Sequence, residues 1–227
     1  MDAFTYKDIS ILYEDNHLLV VEKPVNLIMQ ADSTNDIDLL SLMKEYLKET
    51  YQKPGNVYLG LVHRLDRPVG GVCVFAKTSK AASRLSDQIR THTFQKTYQA
   101  VLEGNSKSQD TLVDYLVKDS KTNTTTVTSS NDSNGKKAIL HYRTLSQKES
   151  LSLVEIQLET GRSHQIRVQF SSRDIPLWGD QRYNKNAKVK QQIALWATRI
   201  TFQHPTTKEI ISFMSNVPNQ YPWTSFE

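Results

Sequence analysis

Cysteine is nearly absent from this sequence, and long apolar runs are missing altogether. The one cysteine among 227 residues, Cys73, excludes an internal disulfide and a cysteine-rich metal cage. No apolar run approaches the roughly 18 residues that a membrane-spanning helix needs. The N-terminal residues also lack the basic and apolar regions of a secretory signal. We therefore expect a cytoplasmic protein with no membrane partner.

Common enzyme motifs are missing as well. The sequence has no GxxxxGK[ST] loop and no GxGxxG motif after a strand, so it gives no support to a nucleotide cofactor. The histidines show no HExxH or similar ligand spacing, and no GxSxG motif is present. We therefore expect no metal site and no serine-hydrolase chemistry.

What is present is a globular composition with a local excess of positive charge. Hydrophobic residues make up 38%, charged residues 23%, and the net charge is +4. The segment Gly161–Arg173 has no acidic residue and contains four basic or histidine side chains, Arg162, His164, Arg167 and Arg173. This pattern suits a polyanion such as RNA, although a solvated helix face has the same pattern.

The periodicity of apolar residues predicts an α+β fold with a mixed, mainly antiparallel central sheet flanked by helices and loops. Predicted strands are Ser10–Tyr13, His17–Glu22, Val57–Val62, Val72–Lys77, Thr97–Leu102, Ala138–Leu145 and Leu151–Leu158, followed by a hairpin of Ile193–Phe202 and Glu209–Met214. Three helices are predicted. The first covers Leu39–Leu47 and is capped by Asp36 or Asp38. The second is capped by Thr78 or Ser79 and buries Ala82, Leu85 and Ile89, and the third covers Ser163–Ser172. The polar stretch Asp119–Gly135 is interpreted as an exposed hairpin or a mobile loop.

The densest cluster of reactive side chains is HRLDRPVGG, residues 63–71. It places the Asp66 carboxylate between Arg64 and Arg67, and nearby guanidinium groups favour an ionised carboxylate that can act as a nucleophile. A salt-bridged structural aspartate would give the same local pattern. Two further clusters follow, KTYQAVLEG at 96–104 and LETGRSHQIRVQF at 158–170. Tyr98 in the first suits either base stacking or core packing.

The order of these clusters resembles that of the RluA-type pseudouridine synthases. The resembling pieces are YEDNHLLVVEKP, HRLD with GGVCVFAK, KTYQAVLEG, LETGRSHQIRVQF, IPLWGDQRY and ITFQHP, which span nearly the whole chain. The resemblance implies one α/β catalytic domain over residues 1–227, with a cleft across its middle. It also implies isomerisation of specific uridines in tRNA or rRNA, without metal or cofactor. No separate N-terminal RNA-binding domain is expected, so we predict a compact substrate such as a stem-loop. We also expect a monomer.

The resemblance also assigns roles to individual residues. Asp66 would be the catalytic carboxylate, Tyr98 would stack on the flipped uracil and help proton transfer, and Arg167 would pair with the aspartate. Residues expected to contact RNA or the base are His63, Arg64, Arg67, Arg162, His164 and Ile166, with Arg64 entering the stack that the base has left. Four positions depart from the usual family pattern: Asn26 in the KPxG turn, Val69 and Gly70 in place of Thr-Ser, and Trp196 in place of a histidine.

Two other functions fit parts of the sequence. A non-catalytic RNA-binding module on the same fold would keep the basic segment, but it would have no need for the set Asp66, Tyr98 and Arg167. A glycosidase would use an aspartate but normally needs two carboxyl groups flanking the bond, and Glu159 is the only obvious second acid near a motif. The pseudouridine synthase reading accounts for more of the chain than either alternative.

Overall fold

The structure, a computed structural model, describes residues 4–226. The chain divides into two compact units. The first contains the described residues up to Gln95 together with Ala197–Asn216. The second contains Lys96–Trp196 together with the described residues from Val217 onwards. No helix in the described part of the chain is long and apolar enough to cross a membrane.

The first unit is built on two buried strands that pair with each other. Its elements up to Gln95 are β1 (Ser10–Glu14), β2 (Leu18–Lys23), α1 (Leu39–Thr50), β3 (Gly60–Leu61), β4 (Gly70–Ala76) and α2 (Ser79–Arg90). Strand β2 pairs antiparallel with β1 and with β4, and β3 pairs with the end of β4. All seven residues of β4 are buried, so this strand forms the centre of the unit.

Both helices of the first unit begin at a predicted cap. The Asp38 carboxylate accepts a hydrogen bond from the backbone N–H of Ser41 at 3.0 Å, and the Thr78 hydroxyl accepts one from Ala81 at 3.2 Å. Helix α2 buries Ala81 and Leu85 in a hydrophobic cluster with residues of β2 and β4. The expected strand Val57–Val62 is wrong in length, because only two residues pair with β4.

The second unit contains a five-stranded antiparallel sheet and one short helix. Its elements are β5 (Gln95–Glu103), β6 (Gln109–Asp119), β7 (Thr124–Thr128), β8 (Lys136–Lys148), β9 (Leu151–Leu158) and α3 (Gln165–Ser171). The strand order is β5-β9-β8-β6-β7. Most of the predicted strands are confirmed. The stretch 119–135 forms the predicted hairpin through β7, whereas β6 was not predicted.

The last two strands, β10 (Leu195–Gln203) and β11 (Ile210–Met214), form the predicted antiparallel hairpin. Within the first unit β10 lies beside β4. Gly71 permits this approach, because a Cβ at that position would lie 2.3 Å from the carbonyl oxygen of Ala197. Its φ of +117° also favours glycine. The observed strands and helices confirm the α+β class and the mainly antiparallel pairing.

Candidate active site

Asp66 lies in the loop between β3 and β4, at the start of a tight turn. The backbone N–H of Val69 donates to the carbonyl oxygen of Asp66 at 3.0 Å, which closes the turn around Arg67 and Pro68. The Asp66 residue is partly exposed, whereas Val69 is only 2% exposed. The turn therefore fixes the backbone that carries the carboxylate and leaves part of this residue accessible from solvent.

A buried lysine binds the backbone of this turn. Lys23, at the end of β2, is fully buried, and its ammonium donates to the carbonyl oxygens of Pro24 (3.0 Å), Arg67 (3.0 Å) and Val69 (2.7 Å). An ammonium has three N–H donors, so each can be used. Burial lowers the pKa of Lys23 to about 7, and the negative charge of Asp66 opposes that lowering. Lys23 thus anchors the path of the loop that presents Asp66.

The neighbours of Asp66 in the HRLD motif have different environments. His63 accepts a hydrogen bond from the backbone N–H of Val74 in β4 through Nε2 at 3.1 Å, which ties the loop to the central strand. Arg67 forms an ion pair with Asp36 at 2.7 Å, and both side chains are about half exposed. Arg64 is exposed. Arg64 and Arg67 are therefore both accessible to a ligand, whereas His63 is partly buried.

In the second unit, Tyr98 lies in the middle of β5 opposite Ile156 of β9 and is 6% exposed. Its strand position agrees with the sequence expectation. Burial of this kind leaves little of the ring accessible, so any stacking surface that it offers is small and well defined. Lys96 lies two residues earlier on the same strand and is partly buried.

Arg167 lies on α3 and is held by a buried ion pair. Its Nε and one terminal nitrogen donate to the two oxygens of Asp180 at 2.8 and 2.7 Å, and the Asp180 side chain is fully buried. The guanidinium carbon also lies 5.1 Å from the ring centroid of Tyr183. A bidentate pair fixes the plane of the guanidinium group as well as its position. The expected pairing of Arg167 with Asp66 stays a prediction.

The loop before α3 is fixed by the Gln165 side chain. Its Oε1 accepts from the Thr160 hydroxyl at 2.8 Å and from the backbone N–H of Arg162 at 3.0 Å, while its Nε2 donates to the carbonyl of Ile139. Arg162 is exposed, as its predicted loop position requires.

The two residues on either side of Gln165 are mostly buried. His164 adopts left-handed backbone geometry, with φ at 52°, and its Nδ1 lies 2.7 Å from the Tyr183 hydroxyl. Tyr183 also accepts a hydrogen bond from the backbone N–H of Thr125 at 2.8 Å, and burial raises its pKa. Ile166 is 4% exposed. Of the RNA contacts expected in this unit, Arg162 is thus the accessible one.

A family model described as RNA pseudouridylate synthase matches residues 17–172, which is more than half of the chain. The chain belongs to this family. An uncharacterized RNA pseudouridine synthase, YhcT of Bacillus subtilis, is 34% identical over 209 residues, covering 91% of this chain and 68% of that protein. Ribosomal large subunit pseudouridine synthase D of Zymomonas mobilis is 33% identical over 221 residues, covering 92% and 69%.

A solved structure has a similar fold. Human RNA Pseudouridylate Synthase Domain Containing 4 aligns with a TM-score of 0.77 and 23% identity, covering 92% of this synthase and 89% of that chain. At this identity the likeness concerns the fold. The relatives in sequence and the family model establish that the chain is a pseudouridine synthase, an isomerase that acts on RNA.

Lys23 and Asp180 lie in segments that carry the family resemblance, but no role was predicted for either residue from the sequence. Lys23 ends the apolar strand LLVVEK, and a charged residue at the end of a buried strand is a signal that could have been used. Asp180 follows Trp178 and Gly179 in a segment with no clear periodicity. Only the structure shows that its partner is Arg167. No group of three or more His, Cys, Asp or Glu side chains within residues 4–226 is arranged to hold a metal ion.

Proposed function

We propose that this synthase isomerises uridine to pseudouridine in ribosomal or transfer RNA, with Asp66 as the catalytic carboxylate. The observation that carries the proposal is the Asp66 turn, which presents a partly exposed carboxylate residue on a backbone held by Lys23. The matching family and the name of the Zymomonas relative, which refers to the large ribosomal subunit, support the reaction and the class of RNA.

The reaction exchanges one bond between ribose and base for another. The bond from C1′ of the ribose to N1 of uracil breaks, the base turns, and a bond from C1′ to C5 forms. N1 gains a proton and C5 loses one, so the product is an isomer of the substrate. A uridine in a helix must first leave the stack, at a cost of a few kcal/mol. An ionised Asp66 would attack C1′ or accept a proton from the ribose.

Other residues would assist in the roles that the family resemblance implies. Tyr98 would stack on the flipped uracil and help move the proton, and Arg167 would hold Asp66 ionised and correctly aimed. Arg64, which is exposed, would fill the gap left by the base, since a guanidinium group stacks on bases and binds phosphate. The remaining contacts to RNA or base would come from His63, Arg67, Arg162, His164 and Ile166. In this proposal both units belong to one catalytic domain.

The test is release of tritium from RNA labelled at C5 of uridine, because the reaction replaces the hydrogen at that carbon. The wild-type protein should release tritium, and both Asp66→Ala and Asp66→Asn should reduce the rate more than about 1,000-fold. Asp87→Ala is the matched control, since Asp87 is an exposed carboxylate on α2 paired only locally with Arg90. It should retain the wild-type rate.

The substrate is then identified by presenting ribosomal RNA, transfer RNA and isolated stem-loops separately. Equal rates on an isolated stem-loop and on the whole RNA would support a compact substrate. Modification of assembled ribosomal subunits alone would contradict it. Tight binding of all these RNAs by the wild-type protein without tritium release would favour a non-catalytic RNA-binding module and refute catalysis by Asp66.

A further inference from the structure

Lys96, near the start of β5, carries a desolvated ammonium group. The residue is partly buried, and burial lowers its pKa. Within residues 4–226 its ammonium makes no hydrogen bond or ion pair. Partial burial removes some of the water around this charge, and a ligand oxygen that bonds the ammonium would replace it. Lys96 is therefore a donor that a ligand approaching from solvent can use.

The ammonium group lies beside an exposed stretch of backbone at Gly161. A Cβ on Gly161 would lie 3.2 Å from Lys96 Nζ. Apart from residues 160–162 themselves, no other atom of the described chain lies within 4 Å of that position. Gly161 is exposed, and the side chain of Gln165 fixes the loop around it. With no side chain at residue 161, a ligand that reaches this loop from solvent can also reach the ammonium.

The charges around this position favour an anion. Arg162 follows Gly161 directly and is exposed, with its Nε bound to the carbonyl of Lys137. The nearest acidic residue along the loop is Glu159, whose carboxylate lies 3.3 Å from His141 Nε2. An ammonium acts as a compact point charge with three donors, which suits a phosphate oxygen.

We infer that Lys96 and the exposed backbone at Gly161 form a subsite for one phosphate of the RNA substrate, next to the nucleotide that Tyr98 contacts. Residues two apart on a strand point to the same face and lie about 7 Å apart, which places Lys96 and Tyr98 on one side of β5. The inference rests on the proposed function for the identity of the ligand as RNA. It assigns to Lys96 a role that none of the sequence motifs indicated.

The test measures binding of a uridine-containing stem-loop RNA by fluorescence anisotropy at several salt concentrations. Lys96→Met should raise Kd roughly tenfold, as expected for loss of one hydrogen bond to a charged group. The slope of log affinity against log salt should become shallower by about 0.7 to 0.9, the contribution of one phosphate contact. Lys80→Met, which removes an exposed lysine on α2, should change neither quantity.

A second variant tests the same subsite without removing the charge. Gly161→Ala would place a methyl group against the flexible end of Lys96, and the backbone there needs no positive φ. It should weaken binding by a smaller factor and add nothing further in the Lys96→Met background. The thermal midpoint of Lys96→Met should equal or exceed that of the wild type, because an ammonium without a protein partner is removed.

Three results would overturn the subsite. Wild-type Kd and salt slope in Lys96→Met would show that the lysine does not contact RNA. Weaker binding with an unchanged salt slope would assign it to a base rather than a phosphate. A lowered thermal midpoint would show that the ammonium stabilises the folded chain. Because binding is measured without turnover, absence of tritium release by the wild type would refute the proposed reaction while leaving these results interpretable.

Discussion

The two units hold their buried cationic groups in different ways. In the first, the Lys23 ammonium donates to three backbone carbonyls. In the second, the Arg167 guanidinium is paired with a buried carboxylate, Asp180. A bond to backbone carbonyls fixes the course of a loop, whereas a bidentate pair fixes the orientation of one side chain. The first arrangement positions the backbone of Asp66, and the second positions Arg167 itself.

This difference predicts what each substitution would disturb. Removal of the lysine would leave carbonyl groups of the loop without donors and would therefore affect folding and catalysis together. Removal of the carboxylate would release the guanidinium group, and the backbone N–H groups of Arg182 and Tyr183 would lose their acceptor, Asp180 Oδ1. Lys96 differs from both, because its ammonium makes no hydrogen bond or ion pair with the described protein groups. Three lines of experiment follow from the contrast between Lys23 and Asp180.

Lys23→Met should have the largest effect on stability. Three carbonyl oxygens, two in part-buried hydrogen bonds and one in a buried hydrogen bond, would lose their donor. Each loss at a buried acceptor costs roughly 1–3 kcal/mol, and removal of a desolvated charge partly offsets the sum. We expect the free energy of unfolding to fall by about 4 kcal/mol in urea titrations. Lys80→Met, which removes an exposed lysine, is the control and should change the free energy of unfolding by less than about 0.5 kcal/mol. A loss below about 1 kcal/mol in Lys23→Met would contradict the role of the ammonium.

Asp180→Asn should have a smaller effect on stability and a clear effect on turnover. The amide keeps one acceptor for Arg167 but removes the buried negative charge, so we expect a loss of about 2 kcal/mol rather than the 3–5 kcal/mol of a fully broken pair. Because Asp180 acts through Arg167, the tritium-release assay should show kcat reduced by roughly tenfold and KM within about twofold. A raised KM with unchanged kcat would instead place Arg167 in substrate binding.

The pH dependence of stability would refine the account of Lys23. Its pKa is lowered from 10.5 to about 7 on folding, so between these values the unfolded chain binds the extra proton. Stability contributed by this group should therefore rise as pH increases from about 7 towards 10. Urea titrations of wild type and Lys23→Met at pH 7 and pH 9.5 measure the difference. If the free energies of unfolding of the two proteins differ by the same amount at both pH values, the three carbonyls keep the lysine protonated.

The sequence predicted best those features that depend on residues close together in the chain. The caps Asp38 and Thr78 are used as expected, because capping needs only a side-chain acceptor next to the first helical turn. Asn26, which stands in place of the usual glycine of the KPxG turn, adopts a φ of 67°, a geometry that Asn enters more readily than most other non-glycine residues. The strand Leu151–Leu158 matches its prediction residue for residue. By contrast, β6 was missed because its polar residues obscure the alternation.

Motif order in the sequence by itself determined the family, the α+β class and the candidate residues around Asp66, Tyr98 and Arg167. These properties reside in residue type and spacing, which a linear chain displays directly. Only the tertiary structure decided that Lys23 binds the Asp66 loop and that Asp180 holds Arg167. Those contacts join residues 44 and 13 positions apart in the chain. Burial then determines their strength, because an ion pair or ammonium gains its full effect only where water is excluded.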